Sequence, residues 1–345
     1  MKQKKEITIY DIAKKLKYST STISRALRDH HSIGKSTKEL IKKEADKMGY
    51  RPNSLAAGLR NNRSKTIGVL ISRINRPFMS SLISGIEDEA KKAGYTVIII
   101  QCNDSYESEV QNARTLYDMR ISGIITSLSM ETVDYSHFEP FLNQKIPIVF
   151  VDRVPESFPS YNIVIDNYAS GYKATEHLIL SGCKRIAHFA GSQNRNVYKE
   201  RRRGYEDALK AYDLTLYEEL IIQFETLSAK EGKKATKHLM NLASPPDGIF
   251  SSNDTAAVSA IQYAKENNVR IPQDLAIIGF NNDPVCSIIE PGLSSVTHPA
   301  SKMGKLSAKC ILKHLEDTEI DSTLTQVTIL DTDLIIRKSS LKSIN

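Results

Sequence analysis

The chain has 345 residues, 40% hydrophobic and 25% charged, a soluble composition long enough for two or three compact units with cores of their own. No apolar run approaches the ~18 residues of a bilayer span, and the opening MKQKKEITIYDI has no apolar core or cleavage site behind its lysines, so we expect a cytoplasmic protein with no membrane partner. The charge is lopsided: residues 1–65 hold 17 Lys+Arg against 6 Asp+Glu, a net +11, while the remainder holds 30 against 34, a net −4. A small basic head on a slightly acidic body is the charge pattern of a nucleic-acid-binding module joined to a second unit. Cys102, Cys183, Cys286 and Cys310 are widely spaced, with no C-x-x-C pair or Cys/His cluster, so we expect reduced thiols, no metal site and no cofactor.

Three short helices can be read in the head. Thr8 precedes IYDIAKKL, with Asp11 placed for a modest capping box and Ile12, Ala13 and Leu16 as its apolar stripe. Ser19 can cap a second helix that turns Ile23, Ala26 and Leu27 inward. Ser36 and Glu39 form a Ser-x-x-Glu box before a third, with Leu40, Ile41, Ala45 and Met48 as its buried stripe and Gly49 at its end. Only KYS separates the first two helices, the short turn of a helix-turn-helix whose second helix lies in the DNA major groove. The outer face of that helix carries Thr20, Ser21, Ser24, Arg25 and Arg28 at spacings of three and four. Arginine can donate a bidentate pair to guanine, and hydroxyls can meet bases or phosphates. A solvated polar face is the plainer alternative, and the charge asymmetry favours DNA.

YRPNSLAAGLRNNRSK follows. Pro52 stops the third helix, Asn53 can cap another, and Leu55 and Leu59 lie four apart on a segment that Gly58 makes marginal as a free helix. It is either a plain linker or a segment that orders on a partner, for example as an apolar wedge in the minor groove.

ITIYDIAKKLKYSTSTISRAL, GYRPNSLAAGLR and KTIGVLIS, in that order, resemble the lactose/galactose repressor family of bacterial transcription regulators, and the resemblance runs across nearly the whole chain. It implies that Thr20, Ser21 and Arg25 read the major groove, that Leu59 is a minor-groove lever, and that the hinge orders when two subunits pair on an operator. The DNA-contacting set expected on this basis is Thr8, Tyr10, Thr20, Ser21, Thr22, Ser24, Arg25 and Arg28 in the head, with Asn53, Ala56 and Leu59 in the hinge. Two places depart from the family pattern. Lys17 stands where the family usually has glycine in the turn, and Ala57 and Gly58 stand where a longer polar or basic residue is common.

In the body, TIGVLIS, TVIIIQ, GIITSL, IPIVFVD, RIAHFAG, DGIFSS and LAIIGF read as buried strands, with helices over 79–93, 107–120, 168–181, 201–212, 229–242 and 254–267 between most of them. Repeated β-α-β favours parallel sheet with helices on both faces, in one large sheet or two smaller ones. The resemblance implies the second: a small all-α helix-turn-helix head followed by an α/β periplasmic-binding-protein-like body of two parallel-sheet subdomains. The expected organisation is a head over 1–51, a hinge helix and linker over 52–65, and an effector-binding and dimerisation body over 66–345. Lobe one would be about 66–165 and 298–325, and lobe two about 166–297 and 326–345.

No P-loop, G-x-G-x-x-G or G-x-S-x-G motif appears, and no spacing singles out a catalytic set, so an enzyme is not expected. Ligands of open α/β sheets bind beyond the carboxyl ends of the strands. Those ends carry Arg73, Arg76 and Phe78, then Asp152, then SQNRNVYKERRRGY, then Asn253 and Asp254, then Asn281, Asn282 and Asp283. Such groups suit a polar, sugar-sized ligand, although Asn253 or Asp254 can equally cap a helix, Asp152 can pair with Arg153, Phe78 can be core, and Arg201, Arg202 and Arg203 can be a solvated face. The resemblance selects Arg201, in Arg-x-x-Gly-Tyr with Gly204, together with Asn253, Asp152 and Phe78. The full effector-binding set expected is Arg73, Phe78, Asp152, Arg195, Val197, Arg201, Asn253, Asp254 and Asn281. Asn281 stands where the family often has aspartate, and four arginines (73, 76, 195 and 201) near one mouth would suit an anionic ligand such as a uronic acid or a phosphorylated sugar. The closing TDLIIRKSS resembles the family's TELxxRxSS, with Asp331 in place of the usual proline before it. The function expected is a transcription regulator, a repressor, that binds operator DNA as a homodimer or dimer of dimers and responds to a sugar-like effector.

Overall fold

A computed structural model describes residues 7–50, 64–317 and 325–342. The chain divides into two compact units, residues 1–64 and 65–345. Asn53, Leu55, Ala56 and Leu59 of the expected hinge lie outside the described residues.

Among the described residues the head has three helices, α1 (Ile9–Leu16), α2 (Thr20–Leu27) and α3 (Lys35–Met48). Each contributes two buried apolar residues, Ile12 and Ala13, Ile23 and Ala26, Ile41 and Ala45, and these meet in one small core edged by Ile9, Leu16, Leu27, Ile33 and Met48. Ser19 opens α2: its hydroxyl oxygen accepts the Thr22 amide at 3.1 Å. At α1, Asp11 accepts both the Thr8 amide at 2.8 Å and the Thr8 hydroxyl at 2.7 Å. Lys17 ends α1 in the left-handed region, φ 58° and ψ 30°, so the turn keeps a glycine-like backbone and the lysine bears its cost. The third helix starts earlier than expected. Gly34 is its N-cap and Lys35 its first residue, which moves Ser36 inside the helix and removes it as a cap. Leu40 is also not in the buried stripe: it is 47% exposed, one residue round the helix from buried Ile41.

The body holds two six-stranded sheets. In the first, β1 (Thr66–Ile71), β2 (Thr96–Gln101), β3 (Gly123–Thr126), β4 (Ile148–Val151), β5 (Tyr161–Ile165) and β11 (Gln326–Leu330) run parallel in the order β11-β5-β4-β3-β1-β2. In the second, β6 (Ile186–Ala190), β7 (Ile221–Gln223), β8 (Gly248–Ser251), β9 (Ala276–Asn281) and β10 (Ser294–Thr297) are parallel in the order β10-β9-β8-β6-β7, and β12 (Leu334–Ile335) pairs antiparallel with β10. Each sheet reverses its strand order once, beside β1 and beside β6. Such reversals open crevices at the carboxyl ends of strands. Crossovers between the sheets follow Ile165, Thr297 and Leu330. The last corrects the expected return near residue 325: β11 pairs with β5 along Gln326–Leu330, so 326–330 belong to the first lobe.

The lobes share a packing device. In the first, α4 (Pro77–Lys92) crosses α12 (Ala300–Glu316) where a Cβ on Gly85 would meet the Ser301 carbonyl and one on Gly304 the Leu82 carbonyl. In the second, α7 (Asn167–Leu180) crosses α8 (Asn196–Ala211) where Gly171 faces the Arg201 backbone and Gly204 the Tyr168 carbonyl. The glycine of Arg-x-x-Gly is therefore a close-approach residue that seats the arginine's own helix against its neighbour. Expected to begin at 201, α8 begins at Asn196, because Arg195 is extended and caps it.

Candidate functional site

Two sites emerge, one in each unit. In the head, Tyr10 of α1 and Thr20, Ser21, Ser24, Arg25 and Arg28 on or just beyond α2 line one concave face, joined by Ile9 and His30. The face exists because Ile23 and Ala26 are fully buried and hold the opposite side of α2 to the core. Ser21, Arg25 and Arg28 are exposed, and Tyr10 is 71% exposed. Two expected contacts sit differently. Thr22 turns back to its cap, with its hydroxyl 2.8 Å from Ser19 Oγ, and Thr8 is exposed beside this face with its hydroxyl committed to Asp11.

In the body, a cleft opens at the strand ends. Of the expected residues it gathers Arg73, Phe78, Arg201, Asn253 and Asn281. Arg201 is its most constrained member. At 3% exposure its Nε donates to Asn167 Oδ1 at 2.8 Å, its Nη1 donates to the Ser252 carbonyl at 2.9 Å, and its guanidinium lies 3.5 Å from the Phe280 ring centre. Burial pushes its pKa down to about 10, against the pull of Asp152. The neighbouring Arg202 and Arg203 pair with Glu206 and Glu200 on the surface, so only Arg201 of the three faces inward. Asn253 caps α10 (Asp254–Glu266), accepting the Ala256 amide at 2.9 Å and donating to the Leu227 carbonyl at 2.9 Å, so its capping and cleft-lining roles coincide.

His298 ties the floor together. Its ring packs at a tilt of 32° against Phe78 with centres 4.1 Å apart, its Nδ1 meets Asn281 Oδ1 at 3.1 Å, and its Nε2 lies 3.5 Å from Asp152 Oδ1. Burial raises the Asp152 pKa and lowers that of His298 well below the usual imidazole value. Among the described residues, Asp152 Oδ1, His298 Nε2, Arg153 Nε and Ser252 Oγ are buried without a hydrogen-bond partner. Asp152 Oδ1 and His298 Nε2 face each other, while Arg153 Nε and Ser252 Oγ, both of cleft-lining residues, are costly unless something polar meets them.

Five expectations change, the first being Asp152, which is buried and off the cleft lining, reaching the site through His298. Arg195 is not on the cleft lining: it is buried and its Nη2 donates to the Thr132 carbonyl, a link from lobe two to lobe one. Val197 is buried behind it. Asp254 lies behind the cleft, accepting the Asp283 amide and the Ser295 hydroxyl at 2.7 Å each, and burial pushes its pKa up to about 7. Arg153 pairs with Asp104 at 2.6 Å rather than with Asp152, and Arg73 shares the same carboxylate at 3.0 Å. The cleft also holds residues the sequence reading did not select: Asp104, Met130, Arg153, Tyr198, Asp283 and His298. Asp283 and Tyr198 stand within strand-end runs already singled out, Tyr198 on α8, and Arg153 follows Asp152; Asp104, Met130 and His298 come from loops with no motif of their own. Among the described residues there is no metal-ligating cluster and no helix long and apolar enough to cross a membrane.

Comparison with known proteins agrees with this layout. Residues 8–53 match the pattern of bacterial regulatory proteins of the lacI family, and residues 175–340 match the periplasmic binding protein-like domain. The chain is 30% identical over 334 residues to the ribose operon repressor of Halalkalibacterium halodurans, covering 96% of this chain and 97% of that one. Its fold matches the lac repressor dimer bound to operator and the anti-inducer ONPF, with a TM-score of 0.85 at 22% identity over 98% of this chain and 100% of that one. A lacI-family regulator from Enterococcus faecium with bound ribose matches at a TM-score of 0.71 and 26% identity, over 81% of this chain and 99% of that one. A helix-turn-helix head that presents an arginine-bearing face and a two-lobed body around a polar cleft thus place this chain in the lacI family of bacterial regulatory proteins, as a DNA-binding transcription regulator controlled by a small-molecule effector.

Proposed function

We propose that the protein is a repressor whose head, residues 1–51, reads one half-site of a roughly palindromic operator, and whose body, 66–345, takes a neutral polyhydroxyl effector, a sugar, and pairs with a second copy. The hinge, 52–65, couples the two, with Asn53, Ala56 and Leu59 meeting the DNA. The observation that carries the effector reading is the pair of unpartnered buried groups on one cleft, Arg153 Nε as a donor and Ser252 Oγ as a donor or acceptor, beside the facing Asp152 and His298 side chains. Alternating donors and acceptors beside aromatic Phe78 and Tyr198 suit a sugar ring.

A neutral ligand fits better than the anionic one that four arginines suggest. Arg73 and Arg153 are both held by Asp104, Arg201 is held by Asn167 and Ser252, and Glu225 and Asp283 share the lining. The ribose bound to the Enterococcus faecium relative supports the same class. Closure of the lobes on the sugar would change the spacing of the two hinges, and a ligand shifts operator affinity only by its differential affinity for the two states. A thermal-shift panel of neutral and acidic sugars, followed by gel shifts on operator selected from random DNA, tests the reading. Neutral sugars that raise the melting temperature and change the gel shift support it, and a response confined to acidic sugars overturns it.

A further inference from the structure

The loop after α2 places a histidine on the DNA-facing surface in a defined tautomer. Asp29 sits in the left-handed region at φ 56°, its amide donates to the Ala26 carbonyl at 3.1 Å, and the His30 amide reaches back to the Arg25 carbonyl at 3.0 Å. This pair of bonds closes the helix in a Schellman turn and locks His30 to the residue that carries the expected base contact. The turn is braced from α3, where Lys38 Nζ donates to the Asp29 carbonyl at 2.8 Å and Lys42 Nζ pairs with its carboxylate at 2.6 Å.

The ring is held as firmly as the backbone. The Ser32 backbone amide donates to His30 Nδ1 at 3.2 Å, and Ser32 Oγ lies 2.8 Å from the same atom. A backbone amide can only donate, so Nδ1 carries the lone pair and the proton of the neutral ring is on Nε2. His31 stacks on the ring at 4.3 Å between centres. His30 lines the same concavity as Thr20, Ser21, Ser24, Arg25 and Arg28.

Resting on the DNA-reading assignment of that face, we infer that His30 is a further operator-contacting residue, which uses its Nε2–H as a neutral, pre-oriented donor to an acceptor on the duplex. The acceptor is either a base edge in the major groove or a phosphate oxygen, and neither needs an imidazolium. A neutral donor leaves a signature that a cation does not: it adds affinity without releasing a counterion, so its loss leaves the salt dependence of binding unchanged.

The test uses the full-length chain and an operator selected by the wild type from random duplexes, with affinity measured across a salt series. His30→Ala is expected to weaken operator binding by about three- to tenfold, the range of one neutral hydrogen bond, with the slope of log K against log salt unchanged. His30→Phe keeps a stackable ring without the donor and should match it, which guards against a collapsed turn in the alanine variant. His30→Gln restores an amide donor and should recover most of the loss. A base contact makes the loss vanish on an operator changed at one base pair, and a phosphate contact makes it persist on every such operator and vanish where one phosphate is replaced by a neutral methylphosphonate. Binding by both deletion variants within twofold of wild type overturns the inference, as does a slope that falls by about one. If the selection enriches no sequence, it is the DNA-reading assignment of the face that fails.

Discussion

Arg25 and Arg201 set the head and the body side by side. Arg25 stands exposed on a helix whose other side is core, free to meet a partner that comes to it. Arg201 is 3% exposed, bonded through two nitrogens and stacked on Phe280, before any ligand arrives. The head therefore works by presentation, and its residues can be exchanged at the expense of binding alone. The body works by pre-organisation, and each of its binding residues is also a structural one.

Arg201→Ala should separate the two regions most sharply. It removes a guanidinium of the proposed effector site and leaves Asn167 and the Ser252 carbonyl without their partner. We expect the body to lose about 2–4 kcal/mol of stability and effector affinity to fall at least ~100-fold, while affinity for operator in the absence of effector stays within a few-fold. Calorimetry with a sugar that shifts the wild-type melt, paired with gel shifts, checks both halves. Collapse of operator binding in a folded variant would break the separation of roles.

Proton linkage comes next. Burial pushes the Asp283 pKa up to about 6 from 3.8, opposed only by Arg76. A raised carboxyl favours folding while both states are protonated, below pH ~4, and that contribution fades as pH rises through 6. The window is worth ~3 kcal/mol at most. Melting of the body from pH 4 to 7 should therefore show a decline that Asp283→Asn makes shallower, the rest falling to Asp254, whose pKa burial pushes up to about 7. An unchanged pH profile in that variant would place the charge in solvent and weaken the contrast between a buried site and an exposed one.

Arg25→Ala should cost about 1–3 kcal/mol on the selected operator and relax preference at one base pair, with little change in stability. Equal losses on random and selected DNA would remove base reading from Arg25 and leave it a phosphate contact.

The same contrast explains what could be read from the sequence. Head structure is local: apolar spacing placed Ile12, Ile23 and Ile41 in the core, and the Ser19 cap was visible because its partner is three residues away. The misread start of α3 shows the limit, since Ser36-x-x-Glu39 has a cap's composition while Gly34, extended and next to core-packed Ile33, turns the chain two residues sooner. In the body, continuous apolar runs revealed β1, β4, β8 and β9, whereas β11 is an edge strand with mostly exposed residues and gave no such signal. The cleft is set by contacts across more than two hundred residues. Phe78 and His298 touch because α4 and α12 pack closely through Gly85 and Gly304, and nothing near either residue announces it. Likewise Arg195 looked like a cleft cation, and only the placement of the Thr132 carbonyl turns it into a link between lobes.

The smallest predicted effect lies within the head, where, among the described residues, two non-glycine residues adopt left-handed backbone and one of them has a visible compensation. Asp29, at φ 56°, is tied down by Lys38 and Lys42. Lys17, at φ 58°, is an exposed residue at the end of α1. A side chain costs ~1 kcal/mol or somewhat more in that region, and glycine avoids this but gives back part of the gain through its freer unfolded chain. Lys17→Gly should therefore stabilise the head by about 0.5–1 kcal/mol. Asp29→Gly should gain less or nothing, because it gives up the Lys42 pair, an exposed bridge worth up to ~1 kcal/mol. Amide exchange of the core residues Ile23 and Ile41 in the intact chain measures both. If Asp29→Gly stabilised the head as much as Lys17→Gly, the braces from α3 would be contributing nothing, and the orientation of His30 would rest on the Schellman turn alone.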